Sequence, residues 1–159
     1  MFGVQWDLVL KHLSNKGVSD SELKTNSSTW GNCYNQAFEI NRGKYSQASP
    51  WNTFIDYTTP TANKVTYENG VSQKIGTTSG NRILLTTGAS DTNSKYNIYD
   101  LAGNVYEWTL ERTSNTYYPC AYRGGNYDGN GSSYPVSSRS YNRPAGSYNC
   151  YIGFRCSLY

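Results

Sequence analysis

The sequence predicts an α+β fold, loop-rich, with short strands and one or two helices. Three observations lead there. Only the N-terminal stretch carries a helical period. Three stretches in the last third alternate as strands do. Most of what lies between is Asn, Gly, Ser and Thr with no sustained period. A length of 159 residues suits one domain, 1–159, with one hydrophobic core.

Residues 4–14 read as an amphipathic helix, with Val4, Leu8, Leu10 and Leu13 roughly on one stripe and Asn15 and Gly17 as the stop. Ser19, Asp20, Ser21 and Glu22 can cap a second short helix over 20–25. The chain from 26 to 94 is mostly loop, broken by Pro50 and Pro60, with Trp30, Phe38, Trp51 and Phe54 expected to pin it to the core. Asn69-Gly70 signals a hairpin over 65–74, and 82–85 is a brief strand. Residues 105–111 and 121–127 alternate as strands. A third strand over 153–159 would turn Phe154, Cys156 and Leu158 one way and Arg155 and Ser157 the other. Between the last two lies an irregular excursion, 128–152. A long loop anchored by strands at both ends points to function.

Charge is nearly balanced, 14 basic against 11 acidic residues, and no basic run is present, so nucleic acid is not expected as a partner. No apolar stretch is long enough to span a membrane. The N-terminus lacks the basic start of a signal peptide. The surface is polar by hydroxyls and amides, because mean hydropathy is −0.70 while only 16% of residues are charged. The 16 tyrosines, with Ser, Gly and Asn, form the vocabulary of binding loops. Tyr supplies contact area with few torsions to freeze, and the small polar residues adapt around it. Cys33, Cys120, Cys150 and Cys156 show no CxxC spacing, so zinc is not expected; one or two disulfides or four free thiols are both compatible. The only histidine, His12, has no acid or nucleophile nearby in sequence and reads as structural or surface. Trp6 and Trp108 read as core. Arg123, Arg139 and Arg155 are expected to bind backbone carbonyls and carboxylates.

Tyr99-Asp100-Leu101-Ala102-Gly103-Asn104-Val105-Tyr106-Glu107-Trp108, then Arg123-Gly124-Gly125, Arg139 and Gly153-Phe154-Arg155 follow one another along the chain. In that order they resemble the formylglycine-generating enzyme (sulfatase-modifying factor) family, with Gln5-Trp6-Asp7 similar to the start of its helix. The resemblance covers most of 4–159 and is strong over 96–159. It implies a C-type-lectin-like fold and a chain trimmed at its N-terminus. It also implies a calcium site at Asp100, Gly103, Val105 and Glu107. Calcium takes several hard oxygens from a flexible turn, which this stretch offers. The alternative is that Asp100 caps a turn and Glu107 meets an arginine such as Arg155.

Two departures set the functional expectation. The family's enzymes carry copper-binding, redox-active cysteines shortly after this RGG, and residues 126–134 here hold none. Copper(I) requires soft thiolate ligands that hydroxyls and amides do not replace. No copper and no enzyme activity are therefore expected. The second departure is compositional. Of the 26 positions 126–151, 19 are Asn, Tyr, Asp, Gly or Ser, and none is Lys, Glu, Gln, Met or Trp, although the other 133 positions hold 21 of those. Adenine mutation of AAC codons reaches Tyr, Ser, Asp, Gly, Thr, His, Arg and Cys but none of the five missing types. The segment is similar to the variable regions of proteins diversified by retroelements.

The expected ligand-binding positions, within a variable region of about 126–152, are Tyr127, Asp128, Gly129, Ser132, Ser133, Tyr134, Ser138, Ser140, Tyr141, Asn142, Arg143, Ser147, Tyr148, Asn149, Cys150 and Tyr151. Asn130-Gly131, Pro135, Arg139, Pro144 and Ile152 read as framework. The resulting expectation is a display protein of a diversity-generating retroelement, extracellular or virion-associated, such as a phage receptor-binding tip or bacterial adhesin. Its partner would be a protein or carbohydrate on a host or neighbouring cell. The alternatives are a fixed C-type-lectin-like module and, least favoured, an oxidase of the formylglycine-generating type.

Overall fold

The computed structural model describes residues 1–36, 38–46, 53–58, 72–74, 82–144 and 149–156. Helix α1 spans Gly3–Asn15. Its start is held by the Phe2 backbone N–H, which donates to Gln5 Oε1 at 2.7 Å. Gly17 closes it. The Gly17 N–H reaches Ser14 O and the Val18 N–H reaches Leu13 O, both at 3.0 Å, the paired bonds of a glycine-terminated helix. The buried stripe is Trp6 and Leu13 with Val9 and Leu10 partly buried beside them. This corrects the expected stripe: Val4 and Leu8 are 65% and 62% exposed. Trp6, Val9, Leu10 and Leu13 keep the i, i+3, i+4, i+7 spacing of one face, and Val4 and Leu8 fall outside it. The expected second helix is one π-helical turn, Ser21–Thr25, preceded by a reciprocal Ser19–Glu22 bond pair at 3.2 Å each way.

Among the described residues the strands form small sheets. β1 (Phe38–Ile40) pairs with β4 (Ser72–Lys74); β2 (Lys44–Ser46) lies between β3 (Ile55–Asp56) and β5 (Leu84–Leu85). β6 (Ser94–Lys95) and β7 (Ile98–Tyr99) make a hairpin. The main sheet has the order β10-β9-β8-β11, built from β8 (Tyr106–Arg112), β9 (Cys120–Arg123), β10 (Arg139–Ser140) and β11 (Ile152–Phe154). β11 joins β8 in parallel, with Ile152 beside Tyr106, so the two ends of the long 113–151 stretch are held side by side. Most of the expected 65–74 hairpin lies outside the described residues, as does Trp51.

The last strand, Ile152–Phe154, is shorter than the expected 153–159, and the expected split holds over the described residues, with Phe154 and Cys156 on the exposed side and Arg155 on the other. Phe154 is 78% exposed and Arg155 turns inward. The guanidinium finds buried oxygens there, and satisfying a buried carboxylate outweighs burying one phenyl ring. Trp30 and Phe38 are buried as expected, whereas Phe54 is 39% exposed and Trp108 is only half-buried.

Apolar burial falls into two clusters, not one. Trp6, Leu13, Val18, Leu23, Trp30, Leu101, Ala102 and Val136 form the first. Phe38, Ile40, Tyr45, Ile83, Leu85 and Ala89 form the second. A buried Asn32–Asn104 pair joins them: Asn32 Nδ2 donates to Ile83 O and to Asn104 Oδ1, and Asn104 bonds both the N–H and the C=O of Leu85. Gly103 makes this seam possible. Its φ is +70°, and a side chain there would collide with the Asn32 carbonyl.

Candidate functional site

Strand alternation sorts the main sheet into two chemically different faces. On one face Glu107 and Glu111 of β8, Arg123 of β9 and Arg139 of β10 stand together with Asp7 of α1. Arg123 is 2% exposed and reaches Asp7 at 2.6 Å and Glu111 at 3.2 Å. Arg139 reaches the same two acids, at 3.3 and 2.6 Å. Each arginine thus bridges helix and sheet, and the expected carboxylate role of Arg123 and Arg139 is what the side chains perform. Arg139 comes from the 128–152 excursion, so this network ties that excursion to the scaffold.

On the other face lies a cleft of about 340 Å³. Its floor is aromatic: Tyr106 of β8 and Tyr122 of β9 meet edge to face at 4.8 Å between ring centres, and Tyr134 meets Tyr106 at 5.9 Å. Trp108 supports Tyr122 from beneath at 5.4 Å. Asn126, Asp128, Gly129, Ser140, Asn142, Arg143 and Tyr151 complete the lining. Register explains the arrangement: Ser140 pairs with Tyr122, and Tyr122 pairs with Trp108, so all three side chains stand on one face. The Arg123-Gly124-Gly125 turn brings the rim over. Both glycines have positive φ, which ends β9 short of the expected 127, and Gly125 packs against the Tyr134 carbonyl so closely that any side chain would push Tyr134 away.

The tyrosine hydroxyls of this cleft hold their protons strongly. Burial pushes Tyr106, Tyr122 and Tyr151 up from the usual phenol value, with Arg143 pulling Tyr122 partly back. At neutral pH they are hydrogen-bond donors; the Tyr122 hydroxyl donates to Asn142 Oδ1. Asp128 is paired with Arg82.

Of the expected ligand-binding positions, Asp128, Gly129, Tyr134, Ser140, Asn142, Arg143 and Tyr151 converge on this cleft. Ser132, Ser133, Tyr141 and Cys150 are exposed outside its lining, and Ser138 and Asn149 are half-buried. Two expectations need correction. Tyr127 is fully buried, with its ring against Tyr151 and its hydroxyl beside Cys150, so it supports the surface from below. Gly129 is buried, and its carbonyl accepts the Tyr34 N–H, so it offers backbone only. Both lose exposure because the turn after Gly125 folds back onto the scaffold. Ser147 and Tyr148 lie outside the described residues. Three lining residues escaped the sequence reading: Tyr106, Tyr122 and Asn126. The alternation of 105–111 held the signal, since it places Tyr106 and Trp108 opposite Glu107.

Asp100, Val105 and Glu107, three of the four expected calcium ligands, line a second pocket of about 240 Å³ together with Arg155; Gly103 is not among its lining. Arg155 holds Glu107 through Nε at 2.9 and 3.1 Å and through a terminal nitrogen at 2.7 Å. The same terminal nitrogen donates to the carbonyls of Tyr99 and Asp100. Asp100 Oδ2 accepts the Gly88 N–H at 2.7 Å, while Oδ1 is buried with no hydrogen-bond partner among the described residues. Burial pushes the Asp100 carboxyl up to about 6, against the pull of the Gly88 N–H and Arg155. Burial likewise raises Glu107, against its bonds to Arg155. Glu107 and these carbonyls are oxygens of the kind calcium takes, and here a guanidinium holds them.

His12 is exposed on α1. Of the four cysteines, Cys33 is buried, Cys120 half-buried, and Cys150 and Cys156 exposed. Among the described residues no group of three or more His, Cys, Asp or Glu is placed to hold a metal ion, and no helix is long and apolar enough to cross a membrane. The family profile of the sulfatase-modifying factor enzyme 1-like domain (FGE-sulfatase) matches residues 13–158. No curated protein and no solved structure matches the chain.

Proposed function

The chain belongs to the sulfatase-modifying factor enzyme 1-like domain family, and from that premise we propose that it is a non-enzymatic member that displays a ligand-binding surface. In this reading the fold is C-type-lectin-like and the surface is the diversified region of a retroelement target protein, carried by a phage or a bacterial surface. The observation that carries it is twofold: residues 126–134 hold none of the cysteines that copper chemistry needs, and 126–151 holds none of the five residue types that altered AAC codons never encode. The geometry supports the same reading. Seven of the expected positions line one cleft, and the strands beneath them are cross-braced by Arg123 and Arg139. A braced backbone lets side chains change without reordering the loop, which keeps the ordering cost of binding low.

The decisive experiment is to sequence around the gene. The reading expects a reverse transcriptase and a near-copy of codons ~126–152 that differs only at adenines. Finding neither sinks diversification and leaves a fixed binding module, a reading favoured by Tyr106 and Tyr122, which lie outside the segment. Copper-dependent oxidation of a sulfatase-type cysteine peptide tests the non-enzymatic claim, and none is expected. A structural calcium belongs to the same reading. Asp100 Oδ1 is the free oxygen it would take first, and Arg155 would release Glu107 to it. Melting with calcium and with chelator tests this, since an ion bound to the native state alone raises the midpoint.

A further inference from the structure

The cleft beneath the variable rim carries an unbalanced charge. Its single carboxylate, Asp128, is neutralised by Arg82. Its single cation, Arg143, is exposed, lies beside the Tyr122 hydroxyl, and has no acidic partner among the described residues. An anionic group is therefore what the cleft lacks. A guanidinium takes a planar carboxylate through two parallel hydrogen bonds, a match that ammonium does not offer.

The rest of the lining narrows the choice. Four tyrosines, two asparagines and a serine surround Arg143. Phenol rings accept the apolar C–H face of a ring, and their hydroxyls, still protonated, donate to ring oxygens. Amides and serine both donate and accept, as a polyhydroxylated ligand requires. About 340 Å³ is at the small end of ligand clefts, room for roughly one or two sugar rings. A peptide adding itself as a strand would need a long open edge, and the edge strand here, β10, is two residues.

We propose that this cleft binds an acidic sugar, with the carboxylate on Arg143, the ring over Tyr106 and Tyr122, and hydroxyls on Asn126 and Ser140. The inference rests on the reading of this region as a ligand-binding surface and names its ligand class. Tyr106 and Tyr122 lie outside the expected variable region, so they form a constant floor. Arg143 is itself one of the variable positions, so the preference for an acid belongs to this form of the loop, while the tyrosine floor is common to all forms.

The test uses the whole protein and four probes: methyl β-glucuronide, N-acetylneuraminic acid, methyl β-glucoside and N-acetylglutamate amide. Saturation-transfer NMR detects binding and titration calorimetry ranks it. At least one acidic sugar is expected to bind about tenfold or more tighter than the neutral glucoside and the acidic amide. Arg143→Gln should weaken that sugar about tenfold or more, leave glucoside binding unchanged, and keep the melting temperature, because Arg143 is exposed. Arg143→Lys should recover only part of the loss. Tyr122→Phe, which keeps the ring, should weaken binding less than Tyr106→Ala. Equal binding of glucoside and glucuronide, equal binding of the glutamate amide, or no transfer to either acidic sugar overturns the proposal. The failures are separable. If no probe binds but an adenine-mismatched template lies beside the gene, diversification stands and only the ligand class falls.

Discussion

Replacing Arg155 by Met tests the largest single polar commitment of the fold. Arg155 donates five hydrogen bonds, three to Glu107 and two to the carbonyls of Tyr99 and Asp100. Glu107 is 5% exposed, so the substitution strands a carboxylate with no solvent to replace its partner. Breaking a fully buried pair costs ~3–5 kcal/mol. The Arg155 side chain is 25% exposed, so water recovers part of this, and the expectation is ~2–3 kcal/mol. The loss also has a pH signature. Burial already raises Glu107, and without Arg155 nothing comparable pulls it down. A carboxylate raised in the folded state contributes stability below its unfolded value and loses it as pH rises through the folded value. The variant's deficit should therefore be larger at pH 7 than at pH 4. Urea unfolding at both values, with unchanged m, measures it. Adding Glu107→Gln should return part of the loss, because the stranded charge is then gone. A deficit under ~0.5 kcal/mol at pH 7, or one that is identical at both pH values, would refute the reasoning.

Three other outcomes follow from the same geometry. Asp100→Asn should flatten the fall in stability between about pH 4 and 6: the carboxyl sits at about 6 against an ordinary 3.8, worth ~3 kcal/mol lost on ionisation, and parallel pH profiles of the two proteins would contradict this. Gly103→Ala should cost ~2–4 kcal/mol, from positive φ plus collision with Asn32, whereas Gly88→Ala, also at positive φ but with space around it, should cost ~1–2; equal melting curves would remove the steric part of the argument. At the rim, Ser133→Tyr and Tyr141→Ser should stay within ~0.5 kcal/mol of the parent, while Tyr127→Ala should cost ~3–5, measured by denaturant midpoints.

Reading along the chain found the elements whose cause is local. Helix α1 ends where Gly17 permits it, and the Ser19–Glu22 capping pair forms as its spacing implies. β8 alternates because one face meets buried charge and the other meets the cleft. Where the cause is distant, the reading failed in an instructive way. Val4 and Leu8 are as apolar as the residues that are buried, but α1 is covered along Trp6, Val9, Leu10 and Leu13, where Leu101, Ala102 and Val136 pack. Which side of the last strand turns inward is decided by Glu107, 48 residues earlier, the arginine partner offered as the alternative to a calcium site.

The candidate site divides along the same line. Composition alone marks 126–151 as unusual, because residue types are a linear property of the chain. The missing cysteines are equally a linear fact. Tertiary structure alone decided that Tyr127 lies beneath the surface, that Tyr106 and Tyr122 form the floor, and that Arg143 meets no acid among the described residues. Burial and pairing are properties of neighbours in space, and here those neighbours come from strands β8 to β11, paired across the last third of the chain.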